Sequence, residues 1–489
     1  MMVVQQSQRQ QLVPAECPDQ ARHGGVETSL EPALSPSPAE LAGRALSARS
    51  SWLGRASPLL WAAAAFAVAL ALRLAWVLSA DTQPAVSDPQ LYHVLAINLA
   101  EGRGYVMRRA EGDHFLAGEG GEPTAWAPPG YPAALAVVYK LFGASAHSAK
   151  VFNAVLGALA AAFTYGVGRL AFGHRTGVLG SLLLAFFPSH IIWSSSVLSE
   201  ALFSPLFVAA LWSLLALRPP VRQGGPLQKT PWPWGAMLFG VLTALATLTR
   251  GQGAVLLPVG IVFWLWRDGR GAALRQGLLA LTAIVALMTP WFVRNLLDME
   301  APIPVSSNMG IVLRTGHHPD SEGHGFIPFD YIENWDTMTQ TEQEVIPGRI
   351  VAERAVAYAV THPLREVELA GLKLYWLFRD DDDALLWATT LGATPIKPEA
   401  LENALPRIMK AYYYVMLLDS GIAIALWLWL RRREPAAGLL VLTVAAWALM
   451  HVITFGEPRY HVALLPVLCL WCASLVATPF PARAGLSHA

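Results

Sequence analysis

The chain has 489 residues, 54% hydrophobic and only 14% charged, with 35 basic and 35 acidic side chains. Soluble globular domains carry about a quarter charged residues, so this composition argues against a soluble enzyme, and a net charge of zero offers nucleic acid no electrostatic footing. The three cysteines, Cys17, Cys469 and Cys472, form no disulfide framework. Cys469 and Cys472 lie inside the apolar run Ala463–Val476, where two small buried side chains explain them better than a redox or metal pair.

Residues 1–55 are rich in Gln, Pro, Ser, Ala and Glu. They cannot bury enough apolar surface to offset ordering entropy, which predicts a disordered tail. The first apolar run, Leu59–Ala80, starts too late and runs too long for a secretory signal. It is the first of about ten predicted membrane spans; the others lie near 149–170, 177–194, 199–217, 233–249, 252–267, 276–296, 408–430, 436–455 and 461–478.

Basic residues set the orientation. Arg44, Arg49 and Arg55 precede the first span, and Arg169 and Arg175 follow the second. Further clusters are Arg218, Arg222 and Lys229; Arg267, Arg270 and Arg275; and Arg431, Arg432 and Arg433. Ten crossings put all of them on one side, the cytoplasmic one, together with the tails at 1–55 and 481–489. Ala133–Phe142 and Glu366–Phe378 are apolar but short, and a crossing by either would flip the parity, so both read as interfacial or re-entrant helices on the outer face. The expected fold is an all-α polytopic membrane domain over 56–480, with large outer loops at about 81–148 and 297–407. Loops of this length are usually functional.

The outer side gathers the residues suited to chemistry. Asp88 stands between Ser87 and Pro89, before Leu91, Tyr92, Leu95 and Leu99 at helical spacing. It fits two roles: N-cap of a surface helix, or a carboxylate at the mouth of a membrane cavity that takes a proton from a hydroxyl. The strap Pro123–Pro132, with Pro128, Pro129, Gly130, Trp126 and Tyr131, is read as extended and rigid, a scaffold leading into the next helix. Glu200, in SSSVLSEALF, is costly at that depth unless paired or functional, and it also suits a first helical turn.

Arg250, Arg294 and Arg459 all fall on the outer side against the basic trend, with Lys150 at the start of the second span. They suggest an anionic ligand at the outer leaflet, since arginine grips phosphate through paired hydrogen bonds; pairing with Glu200 or Glu457 is the alternative. His317, His318, Asp320 and Glu322 crowd one loop, and Asp380–Asp383 form an acidic run. A divalent cation would suit either group, but the spacing matches no standard site and a solvated loop explains both. No nucleotide or hydrolase motif sits in a supporting context.

The order of SDPQLYHVLAINLAEGRGY, PPGYPAALAVVYKLFG, FPSHIIWSSSVLSEALF, ALATLTRGQG, and TPWFVRN followed by NMGIVLRTGHHPDSEG resembles the GT-C superfamily of integral membrane glycosyltransferases. Within it, the chain is similar to the bacterial branch near the protein O-mannosyltransferases and the aminoarabinose transferases of lipid A. The resemblance covers about 58–478. It implies an inverting transfer of sugar from a polyprenyl-phosphate donor to a hydroxyl of a glycan, lipid or protein, on the outer face of a bacterial plasma membrane. Asp88 would then be the general base, alone or with Glu200. Arg250, with Lys150, Arg294 or Arg459, would stabilise the leaving lipid phosphate, and Tyr92 and Tyr131 would contact substrate. The family's second adjacent acid is replaced here by Pro89. The competing reading is a non-enzymatic transporter or flippase of a lipid-linked glycan; the lack of an internal repeat and the outer placement of the polar residues favour the enzyme.

Overall fold

A computed structural model describes residues 57–79, 86–109, 114–217, 233–328, 335–389, 399–430 and 434–477. The expected tails at 1–55 and 481–489, and the clusters Arg218–Lys229 and Arg431–Arg433, lie outside the described residues.

Among the described residues, six helical stretches are long and apolar enough to cross a membrane, judged by length and composition. They belong to α1 (Pro58–Ser79), α4 (Ala146–Ala171), α10 (Arg270–Asp298), α15 (Glu399–Trp429), α16 (Pro435–Ile453) and the stretch Pro458–Ala477, a 3-10 turn running into α17 (Leu465–Ala477). A seventh arises if α5 (His174–Ala185) and the stretch starting with α6 (Pro188–Ile192), bent by 61° at the break, count as one span. Of the ten expected spans, six or seven meet that test among the described residues. Of the other predicted spans, α7 (Glu200–Ala216) and α8 (Pro233–Thr249) have 17 residues each, about 26 Å of helix and short of a full hydrocarbon core. The last, α9 (Leu256–Asp268), keeps only 13 residues because Gly251–Val255 winds as a 3-10 turn.

The helices pack as apolar cylinders round a buried centre. α4 lies against α1, α5 and α7, while α10 packs on α8 and α9. Every residue from Tyr460 to Ser474 is buried. Cys469 and Cys472 belong to this stretch, and the Cys472 thiol faces Asp419 at 3.6 Å, so the pair is packing rather than a ligand site. The break after α5 frees carbonyls that no helix satisfies. Arg73 of α1, fully buried, donates to Leu184 O and Ala185 O (3.3 Å each) and to His190 Nδ1 (2.8 Å). Gly157 of α4 makes room for it, since a Cβ there would strike the Arg73 side chain.

The two loops expected on the outer side are more ordered than the sequence suggests. α2 (Ser87–Ala100) leads into a three-stranded antiparallel sheet, order β2-β1-β3, of β1 (Val106–Arg109), β2 (Phe115–Leu116) and β3 (Glu122–Pro123). This corrects the all-α expectation; strands of two residues leave no periodic signal. α3 (Gly130–Phe142) starts inside the predicted strap, because Pro132 falls in the first turn, where no amide donor is needed. The second loop holds α11 (Met309–Gly316), α12 (Gln340–Thr361), α13 (Pro363–Phe378) and α14 (Asp383–Thr389). A capping box of Thr339 and Glu342 starts α12.

α13 lies across the C-terminus of α16 and completes its open carbonyls. Lys373 Nζ donates to Val452 O (3.0 Å), and His317 bridges Ile453 O and the Glu366 carboxylate (2.8 Å each). Lys373 is fully buried, so removing its ammonium strands a carbonyl and a carboxylate. Lys373→Met is expected to destabilise the purified protein by about 1–3 kcal/mol in thermal unfolding, whereas Glu368→Gln, at an exposed position of the same helix, should change it by less than about 0.5 kcal/mol.

Candidate active site

Four helix ends meet where the predicted residues lie. Asp88 sits in the first turn of α2, Glu200 opens α7, Arg250 follows α8, and Arg459 belongs to the 3-10 turn Pro458–Leu464 ahead of α17. Val86, not Asp88, is the N-cap of α2, and no side chain caps that helix, so the Asp88 carboxylate is not committed to capping. Ser87 just before it adopts φ 58°, a left-handed conformation that a non-glycine residue takes only under tertiary constraint.

Each arginine has a carboxylate. Arg250 pairs with Glu200 at 2.5 Å, and Arg459 Nη1 donates to Asp88 Oδ2 at 3.0 Å. The two guanidiniums flank Tyr460, at 5.1 and 5.3 Å from its ring centre. Arg250 also donates to Ser199 Oγ (3.1 Å), which accepts from the Tyr92 hydroxyl (3.1 Å). Burial first, then the Asp88 charge, pushes the Tyr92 phenol up, which keeps it a neutral donor. The Trp387 ring lies 4.8 Å from Arg459, and the Arg459 amide donates to Asp383.

A cavity of about 490 Å³ opens beside this cluster. Asp88, Tyr92, Arg250 and Arg459 supply its charged end; Leu91, Val255, Pro258, Val312, Leu449 and Ile453 supply an apolar wall. Glu200 does not line it. Glu200 is 5% exposed and pairs with Arg250, so its carboxylate is engaged with that guanidinium and does not face the cavity.

Three other predicted residues also lie outside the lining. Tyr131 is fully buried, donates to Asn153 and packs edge-on against Tyr92, positioning that ring. Lys150 is buried on α4. Arg294 is engaged with backbone: it donates to Thr124 O and Tyr105 O (2.7 Å each) and pairs with Asp298. Its geometry is that of a clamp on the strap.

Glu344, which nothing in the sequence signalled, grips the same strap. It accepts from Thr124 Oγ1, Ala125 N and Ser307 Oγ at 2.5–2.8 Å. Burial pushes its carboxyl up, against those three bonds. The Tyr105 hydroxyl adds a bond to Ala127 O, so a segment without regular structure is held at several points.

Asp380, Asp382 and Asp383 bring one carboxylate oxygen each within 4.8 Å of one another. Lys410 sits 2.8 Å from Asp382 and Arg379 3.3 Å from Asp380, and Asp383 takes the Arg459 amide. The three carboxylates could thus offer one ligand atom each to a divalent cation, in competition with Lys410 and Arg379. His317, His318, Asp320 and Glu322 do not gather into such a group; His317 is taken up by Glu366 and Ile453 O.

Residues 127–293, about a third of the chain, match the family model described as dolichyl-phosphate-mannose-protein mannosyltransferase. This stretch matches a family of membrane glycosyltransferases. It begins in the strap and contains Glu200 and Arg250. No curated protein matches the sequence. Among solved structures, the archaeal oligosaccharyltransferase AglB from Archaeoglobus fulgidus, in complex with an inhibitory peptide and a dolichol-phosphate, is 15% identical, with 89% of this chain and 53% of that one covered and a TM-score of 0.50. The Archaeoglobus enzyme with zinc and sulfate is 16% identical, covering 84% and 48%, TM-score 0.48. ArnT from Cupriavidus metallidurans, bound to undecaprenyl phosphate, is 18% identical, covering 86% and 78%, TM-score 0.41. The chain thus spans about half the length of the archaeal structures it matches. The resemblance to membrane glycosyltransferases read from the sequence is borne out by the family match, and the archaeal likeness bears on the fold alone.

Asp383 gives the site a pH signature. Burial, and then the Glu457 charge, push its carboxyl up to about 6 from an ordinary 3.8. The folded chain therefore keeps a proton that the unfolded chain loses, so stability falls as pH rises between those values and levels off above them. Asp383→Asn is expected to flatten that part of the melting-temperature profile, leaving the protein more stable than wild type above about pH 6 and equal to it below about pH 4.

Proposed function

We propose that the chain transfers a sugar from a polyprenyl-phosphate donor to an acceptor hydroxyl, with inversion at the anomeric carbon. One observation carries the reading: a carboxylate and two arginines share one end of a cavity that also has a long apolar wall. An amphiphile with an anionic head fits that division. Its phosphate would sit against Arg250 and Arg459, and its isoprenoid would run along Val255, Pro258, Leu449 and Ile453.

The chemistry follows. The acceptor oxygen attacks the anomeric carbon as its proton passes to Asp88, while the bond from that carbon to the phosphate oxygen breaks. The lipid phosphate leaves with the electron pair, its added charge met by the arginines. A phosphate leaving group needs no general acid. Arg459 is shared between donor and base, so a phosphate that engages it frees the Asp88 carboxylate for the hydroxyl. No step requires a metal.

Counting α7, α8, the bent α5–α6 pair and the 3-10/α9 stretch as crossings restores ten passes and puts Asp88, Glu200, Arg250 and Arg459 on one face. The bundle supports this count. Arg267 donates to Leu214 O at the end away from the cavity, while Arg250 and Glu200 meet at the cavity end. The basic turns favour the cytoplasm for the first end, which supports a cavity on the periplasmic or outer face of a bacterial inner membrane. The apolar-lined cavity beside an acid favours transfer over passive lipid transport.

Two measurements test this. Asp88→Asn should lower release of polyprenyl phosphate from a labelled polyprenyl-phosphate sugar by about 10²-fold or more, while binding of polyprenyl phosphate is retained or tightened as Arg459 is released; equal turnover would remove Asp88 from the mechanism. In intact cells, a membrane-impermeant maleimide should label Asp320→Cys and spare Arg270→Cys, both at exposed positions. The reverse pattern would overturn the orientation.

A further inference from the structure

The cavity has a second polar wall that neither phosphate nor base uses. It consists of Gln252 on the 3-10 turn, Ser306 and Asn308 ahead of α11, and Trp126 of the strap. Gln252 is half-buried and has no hydrogen-bond partner among the described residues. Asn308 heads α11 without capping it. Its Oδ1 accepts from Ser306 Oγ at 2.7 Å, which leaves the Nδ2 hydrogens for another partner. Trp126 offers a flat apolar face, steadied by Arg109 at 5.0 Å from the ring centre. Two amides and an indole complement a pyranose, which carries hydroxyls on its rim and C–H groups on its face.

Charge narrows the class of sugar. The lining holds Arg250 and Arg459, and its one carboxylate among the described residues, Asp88, is bonded to Arg459. An ammonium-bearing sugar would meet two like charges with no unpaired carboxylate to receive it. A uronic acid would compete with the phosphate for the same guanidiniums. Only an uncharged sugar leaves the arginines to the phosphate and still satisfies the amides.

We infer that Gln252, Asn308 and Trp126 form the sugar subsite of this cavity and select a neutral hexose over a charged sugar. The inference rests on the donor-binding reading of the cavity. It is tested with the full-length protein in nanodiscs by equilibrium binding of polyprenyl phosphate, polyprenyl-phosphate mannose, polyprenyl-phosphate glucose and a polyprenyl-phosphate aminopentose. Wild type should bind at least one neutral-sugar lipid more tightly than the aminopentosyl lipid. Gln252→Ala and Asn308→Ala should each weaken that neutral lipid by about three- to ten-fold while leaving polyprenyl phosphate unchanged. Tighter binding of the aminopentosyl lipid, no loss in either variant, or equal losses for bare and glycosylated lipid would overturn the subsite. Failure of wild type to bind polyprenyl phosphate would instead overturn the donor reading itself.

Discussion

Two guanidiniums at the end of an apolar bundle must each find a negative partner, and the placement of four helix ends follows from that requirement. A buried charge left alone costs several kcal/mol, so Arg250 draws in the start of α7 through Glu200, and Arg459 draws in the start of α2 through Asp88. Tyr460 between them lets two like charges share one aromatic ring. The pairs differ in one respect that decides their roles. The Glu200 side chain is 5% exposed and the Asp88 side chain 34%, so only the second acid is open to a ligand.

The same reasoning explains how irregular segments persist beside a membrane bundle. Backbone that is neither helix nor sheet needs partners for its carbonyls wherever water is scarce. Arg73 supplies them at the break after α5, Lys373 and His317 at the end of α16, and Arg294 and Tyr105 along the strap. Each is a polar residue engaged with main chain far away in sequence. The strap beside the cavity is therefore held by a guanidinium and a hydroxyl rather than by secondary structure.

This distribution of partners also sets what the sequence could reveal. Asp88, Glu200, Arg250 and Arg459 were legible together because counting spans places them on one side, and the structure brings them into one cluster. Lys150 and Arg294 carry the same signature yet do not line the cavity, because a span count gives depth and not direction. Glu344, Lys373 and Arg73 were illegible: their partners are carbonyls, amides and hydroxyls contributed by other elements, which leave no pattern in composition or spacing. Breaks within the predicted spans were illegible for a related reason. An apolar run looks alike whether it is one helix or is cut, as by Pro188 after α5 and by the 3-10 turn before α9.

The two arginines are unequal as phosphate ligands, and the inequality bears on the proposed transfer. Arg250 is locked by Glu200, by Ser199 and by the Tyr460 face, so it meets developing charge without reorganising. Arg459 is bonded to the proposed base, Asp88. A donor phosphate therefore finds one fixed cation and one that it must share with Asp88. Sharing weakens the hold on a substrate diester, which carries one charge. It strengthens as the bond breaks and the phosphate gains a second charge while Asp88 loses its own to the incoming proton. An interaction that grows in this way favours the transition state over the bound substrate, which is the condition for a rate enhancement rather than mere affinity.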